Sequence, residues 1–183
     1  MTDALLRPDY ANAICCANSG DYDPAGSGFA RTHQLDFTSL NNGSAIQSDK
    51  IDLGANLPSS WALYSAVDLA STPGSSGRSF FYYWGGTPDD GKGFPGGLTG
   101  VAGSYTGTSG DTLSNTLTAA LESIGYLSVT TDSGVHYQPR QIIPAGRLGR
   151  FGSLVAYNDS GVNHDSNGVN SFVALVPLIR TNN

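Results

Sequence analysis

The segment Gly86 to Gly93, GTPDDGKG, comes closest in this chain to a chemical motif. It matches the GxxxxGK spacing of a phosphate-binding loop, in which backbone N–H groups cradle phosphates and a following Ser or Thr holds Mg²⁺. Here the hydroxyl position is Gly93, and Asp89 and Asp90 would repel a nucleotide. The next residues, FPGG, cannot open a helix whose N-terminus would bind phosphate. We therefore expect a loop rather than a nucleotide site.

Other residue groups also suggest chemistry. NHDSNG, Asn163 to Gly168, has oxygen side chains at positions 1, 3 and 5 and Gly at 6, as a calcium loop begins. Position 12 is Ala174 where that loop needs a bidentate Glu, so a turn rich in Asn, Asp and Gly is the simpler reading. His33, His136 and His164 share no ligand spacing and read as ordinary surface or core histidines. GSSGR and GTSGD both break the GxSxG nucleophile elbow, and no carboxylate pair stands out as acid and nucleophile. The expectation is a non-enzymatic chain without cofactor or metal. The basic residues that cluster, Arg140, Arg147 and Arg150, are too few for nucleic acid on a chain of net charge −6, and are expected to cap loops or pair with carboxylates.

The aromatics Trp61, Tyr64, Phe81, Tyr83, Trp84, Tyr105 and Tyr137 could stack on sugar rings, or form core and subunit interface; the second reading is preferred. Most lie on two predicted strands, Trp61 to Leu69 and Phe80 to Trp84, joined by the turn-rich PGSSG. Trp61, Leu63, Val67 and Leu69 alternate on one face with Ser65, and Ala62, Tyr64, Ala66 and Asp68 take the other. Phe80 to Trp84 is aromatic throughout, so it is buried on both faces or presents rings to a partner.

Further strands are predicted at Gln34–Leu40, Ile46–Leu53, Tyr126–Thr131, Val135–Ile143, Phe151–Tyr157 and Phe172–Ile179. Pro177 lacks a donor, which predicts an edge position or a bulge. The spacing of Leu113, Leu117, Leu121 and Ile124 predicts a helix from Asp111 to Ile124 capped by Asp111 and ended by Gly125, with a helical turn feeding a strand as the alternative. The Gly-rich stretch after Trp84, including Phe94 and Tyr105, reads as an exposed insertion that touches something.

With 24 glycines among 183 residues and only 13% charged residues, the chain reads as all-β: a two-sheet antiparallel β-sandwich, jelly-roll-like. A charged fraction below the roughly 25% of soluble domains also suits a chain covered by neighbours in an assembly. Residues 1–31 show no periodicity and read as an extended N-terminal arm, with Tyr10, Ile14, Tyr22 and Phe29 for docking, ahead of a sandwich domain over 32–183. The neighbours Cys15 and Cys16 are not expected to bridge each other. The opening MTDALLRPDY has no apolar core of a leader, and nowhere do about 18 apolar residues run together, so we expect a soluble chain made in a cytoplasm, with no membrane partner.

The segments IDLGANLPSSWALYSAVDL, RSFFYYWGG followed by FPGGLTG, SIGYLSVTTDSGV, RFGSLVAYNDSG and FVALVPLI together resemble small virion structural proteins of tailed bacteriophages. The resemblance spans Ile51 to Ile179 and consists of strand and turn phrases; it transfers no catalytic or ligand residues. It implies a jelly-roll-like sandwich built into the virion, as a head decoration or cement protein or on the tail or a fibre. The resulting expectation is a homo-oligomer, with a trimer guessed, that binds the major capsid protein or other virion proteins through the arm and the Gly86 to Gly110 loop, with Tyr10, Ile14, Tyr22, Phe29, Phe94 and Tyr105 in contact. A carbohydrate-binding sandwich is the alternative from another class.

Overall fold

A computed structural model describes residues 5–18, 22–73, 78–89, 93–130, 134–165 and 170–181. Twelve strands form among them: β1 (Leu5–Pro8), β2 (Ile14–Ala17), β3 (His33–Gln34), β4 (Ala45–Gln47), β5 (Ile51–Asp52), β6 (Ser60–Leu69), β7 (Ser79–Thr87), β8 (Gly103–Tyr105), β9 (Glu122–Ser128), β10 (Gly134–Pro144), β11 (Phe151–Asp159) and β12 (Phe172–Thr181). Two short helices, α1 (Pro24–Ser27) and α2 (Leu113–Ala120), lie between strands. One sheet runs β10-β6-β12-β2-β3, with β1 also on β12; the other runs β8-β4-β11-β7-β9, with β5 also on β11. All pairings are antiparallel except β2 with β3. The chain is thus an all-β two-sheet sandwich, and we call these sheets A and B.

Period-2 alternation builds the core as the sequence predicts. Trp61, Leu63, Val67 and Leu69 of β6 face Phe80, Tyr82 and Trp84 of β7 across the inter-sheet layer, with Val173, Leu175, Leu154 and Ala156 around them. Gly152 is needed for this packing, because a Cβ there would lie 2.3 Å from the Trp84 indole.

The predicted arm is part of the sandwich. β1 pairs Leu5 to Pro8 with Thr181 to Leu178, and β2 pairs Ile14 to Ala17 with Leu175 to Phe172. Cys15, Cys16 and Ala17 are fully buried. Neighbouring residues on a strand point to opposite faces, so Cys16 enters the inter-sheet core and Cys15 the outer layer. Both are free thiols, and burial raises them, Cys15 to about 11 and Cys16 also well above its usual value, so they stay protonated. A boundary at residue 31 would cut through sheet A.

Several other elements differ from expectation. β12 is central, yet it tolerates Pro177, because Pro177 stands opposite the break between β1 and β2. There Asp9 N–H donates to the Pro177 carbonyl at 2.8 Å and a 3-10 turn over Tyr10–Asn12 interrupts the ladder, so the missing donor has no ladder partner. Gln34–Leu40 is a strand only at His33–Gln34, since the Asp36 carboxylate accepts from Thr38 N–H and sets a 3-10 turn over Phe37–Ser39. The stretch Ile46–Leu53 is divided into β4 and β5. The helix is shorter than its apolar spacing predicts: Thr112, not Asp111, caps it, and Leu121 begins the extended chain of β9. The Gly-rich stretch after Trp84 folds back on sheet B, adding β8 and a 3-10 turn at Pro95–Gly97. The phosphate-loop-like residues 90–92, the PGSSG residues 74–77 and the turn residues 166–169 lie outside the described residues.

Each side of the sandwich is closed by one polar side chain. The Gln141 amide, beside a bulge in β10, accepts from Tyr126 N–H and donates to the Tyr126 carbonyl, both at 3.2 Å, and so completes the edge of β9. Gly125 lets it reach, since a Cβ there would meet Gln141 Oε1 at 2.3 Å. On the other side, Asp49 accepts from Gln34 N–H at 2.9 Å and pairs with His33 Nδ1 at 3.1 Å, tying the turn after β4 to β3.

Removing residues 1–31 should strip β1 and β2 from one edge of β12 and abolish cooperative unfolding, as measured by circular dichroism in urea. Gly152→Ala should lower stability by about 1–3 kcal/mol, read as a lower urea midpoint at unchanged slope.

Candidate interaction surface

The outer face of sheet A has an alanine floor: Ala62 and Ala66 of β6, Ala174 of β12 and Ala17 of β2. Such short side chains leave room for a second layer of rings. The segment after β2 supplies it. Asp23 accepts from Ala25 N–H to cap α1, and Gly28 ends α1 in the left-handed conformation at φ 78°. Tyr22 donates to the Phe29 carbonyl at 2.9 Å, and Thr32 N–H donates to the Cys15 carbonyl. Phe29 is thereby held over the floor, with ring centroids 5.5 Å from Phe172, 5.6 Å from Tyr64 and 6.0 Å from Tyr10. These tilted contacts suit aromatic quadrupoles. The hydroxyls of Tyr10 and Tyr64 lie 3.3 Å apart, and burial first, then that bond, pushes Tyr64 up to about 12.

Three large side chains crown this layer in solvent: Tyr10 is 57% exposed, and Tyr137 and Ile142 of β10 are 64% and 48% exposed. Tyr137 pairs with Ala66 and Ile142 with Ala62, which puts both on the outer face of sheet A.

The six residues singled out for contact separate. Tyr10, Tyr22 and Phe29 come together on this face, but only Tyr10 is well exposed; Tyr22 and Phe29 mainly hold the layer together. Ile14 faces the other way, into a groove of about 430 Å³ between the sheets, beside Asp9, Asn12, Leu53, Trp61 and Ile179. Tyr105 and Phe94 pack on the outer face of sheet B with Leu98, Leu117 and Leu121. Tyr105 is 2% exposed and donates to the Gly96 carbonyl, so it cannot meet a partner. Of the seven aromatics considered for sugar stacking, Trp61, Tyr83, Trp84 and Tyr105 are buried.

A second exposed feature lies on sheet B. Tyr105, Ala45, Tyr157, Phe81 and Tyr126 form one row in register across β8, β4, β11, β7 and β9. Phe81 and Tyr157 are near-parallel, 26° apart with centroids at 6.4 Å, and Tyr126 is 50% exposed at the row's end. Asp159, two residues beyond Tyr157 on the same face, is exposed.

The histidines go to three separate places. His33 pairs with Asp49, and buried His136 accepts at Nδ1 from Thr130 N–H. His164 Nε2 bonds Ser171 Oγ at 2.5 Å, the contact a serine nucleophile would need. Ser171 is fully buried and itself accepts from Asp68 N–H, so this pair braces the sandwich end. Asn158 extends the brace, donating to the carbonyls of Leu40 and Val162. Two of the three clustered arginines pair as expected, Arg147 with Glu122 and Arg150 with Asp52 in two bonds of 2.9 Å; the bonds from Arg150 and from Gly54 N–H bring Asp52 down to about 2. Among the described residues, no group of three His, Cys, Asp or Glu side chains converges on a metal position. Gln141, Asp49 and Asn158 carried no sequence signal, since an isolated polar residue gives no period.

No protein-family model matches this chain, and no curated protein matches it.

Burial lowers the pKa of His164 below its ordinary 6.5. The unfolded chain takes up this proton near pH 6.5 and the native chain only at lower pH, so the contribution is full above about 6.5 and lost as pH falls below it. The urea midpoint should fall with acidification from there, and His164→Gln should flatten that part of the profile.

Proposed function

We propose that this chain is a non-enzymatic structural protein of a bacteriophage virion, attached to the outside of the head as a decoration protein. The observation that carries the reading is the preformed outer face of sheet A, where Tyr10, Tyr137 and Ile142 stand exposed on an aromatic layer held by the fold. Exposed apolar groups on a rigid support bind with little ordering cost. Repetition over a shell adds avidity to a modest contact. The sequence resemblance supplies the particle; the face supplies the means of attachment. Attachment through an extended N-terminal arm gives way to attachment through this face, because β1 and β2 pair with β12 in sheet A.

The test is cryo-electron microscopy of particles from the source. Regular density on the shell, with the outer face of sheet A against it, is the expected result. Density confined to the tail would move the protein there, and absence from particles would end the virion reading. Tyr137→Asp with Ile142→Asp should leave the urea midpoint nearly unchanged, because both side chains are in solvent, while occupancy on particles falls about tenfold. Glycan-array binding lost with Tyr137→Ala would favour the carbohydrate reading instead.

A further inference from the structure

The groove between the sheets lies where both of them lose backbone pairing. In sheet A the ladder on β12 breaks between β1 and β2, and the 3-10 turn Tyr10–Asn12 takes the place of strand. In sheet B, β5 ends at Asp52, and Gly54 turns the chain at φ 87°. Between these departures the groove has a volume of about 430 Å³, walled by Ile14, Leu53, Trp61, Pro177 and Ile179. Small-molecule sites occupy roughly 300–1,000 Å³ and combine such apolar walls with a few placed polar groups.

Both banks of the groove are held by the fold. Asn12 Nδ2 donates to Asp9 Oδ2 at 2.8 Å, and Asp9 N–H donates to the Pro177 carbonyl. On the other bank Asp52 accepts from Gly54 N–H at 2.8 Å and twice from Arg150, so it is fully engaged. The rest of the Asp9 carboxylate, the Asn12 side-chain carbonyl and the Asn56 amide line the groove with no further side-chain partner among the described residues. In the wall, Trp61 is 1% exposed, and its Nε1–H has no hydrogen-bond partner among the described residues. Buried donors of that kind are rare in folded proteins.

The charges at the groove balance. Asp52 is paired with Arg150, and Arg7 brings a positive charge to the side of Asp9, on the sheet face of its register partner Ile179. A neutral ligand therefore suits the groove better than a cation. We propose that the groove binds a sugar ring. The C–H face lies against Ile14, Leu53 and Ile179, the hydroxyls donate to Asp9 and exchange bonds with Asn12 and Asn56, and an oxygen is directed toward Trp61 Nε1–H. A carboxylate only accepts, whereas an amide both donates and accepts, the combination that neighbouring hydroxyls match. A site already held in place binds with little ordering cost. It is separate from the outer face of sheet A and independent of the virion reading.

The full chain titrated with the methyl glycosides of glucose, mannose, galactose and N-acetylglucosamine tests it. Tryptophan emission, to which Trp61 contributes, and saturation-transfer NMR are the readouts. Saturable binding of at least one glycoside, with a dissociation constant of about 1 mM, is expected. Asp9→Ala should weaken it about tenfold and Asn56→Ala about threefold, while Tyr137→Ala leaves it unchanged. Circular dichroism and urea midpoints close to those of the parent chain would show that the variants fold. No saturable binding of any of the four glycosides overturns the inference. So does binding that survives Asp9→Ala and Asn56→Ala intact, binding that is lost with Tyr137→Ala, or salt-sensitive binding of the diamine cadaverine in place of the sugars.

Discussion

Strand β12 is hydrogen-bonded along both edges, to β6 on one side and to β1 and β2 on the other. It comes last in the chain, and two of its partners come first. Sheet A therefore cannot close until both ends of the chain meet, and the loop-closure entropy must be met before the contacts repay it. The break between β1 and β2 matters to this joint, since it lets Pro177 lie in a central strand. What looked like a terminal arm is the element that completes the sheet.

The sides of the sandwich are managed by single polar groups rather than by more strands. An exposed edge is a template for pairing with other chains. Gln141 imitates a strand backbone at Tyr126, and at Gln34 the Asp49 carboxylate accepts from the N–H while the Asp49 N–H donates to the carbonyl. The bulge in β10 and the glycine at position 125 are the local costs of the first clip. A polar knot around Asn158, His164 and Ser171 holds the sheets together at one end, and the bonds of Asn158, Ser171 and His164 Nε2 offset part of the cost of burial.

Period 2 was readable in most of the long strands: β6, β7, β10, β11 and β12 lie where the sequence predicts, while β9 begins four residues before its predicted start at Tyr126. Short strands were not readable, because two to four residues cannot display a period, and β1, β3 and β5 are that short. α2 ended early because Leu121 and Ile124 satisfy the helical spacing while serving a strand. The outer layer of sheet A was half visible. Tyr10, Tyr22 and Phe29 stood out as apolar residues in an aperiodic segment, but their floor of alanines lies at positions distant in sequence. Tyr137 stood out only as an aromatic, and Ile142 not at all, since a solvent-facing position carries no pattern of its own.

Two-layer antiparallel sandwiches usually keep their outer faces wet. Here both outer faces are largely apolar and largely covered by the chain itself: residues 22–32 over sheet A, and residues 94–121 over sheet B. The molecule therefore has four layers made from two sheets. This arrangement accounts for much of the low charged fraction without any partner, because strand positions that would otherwise face water hold Ala, Val, Phe or Tyr. A partner need cover only what the self-made layers leave open. At sheet A that is the crown of Tyr10, Tyr137 and Ile142, and at sheet B the end of one aromatic row. Small, rigid and separate, these patches suit several weak contacts repeated in an assembly better than one extensive interface.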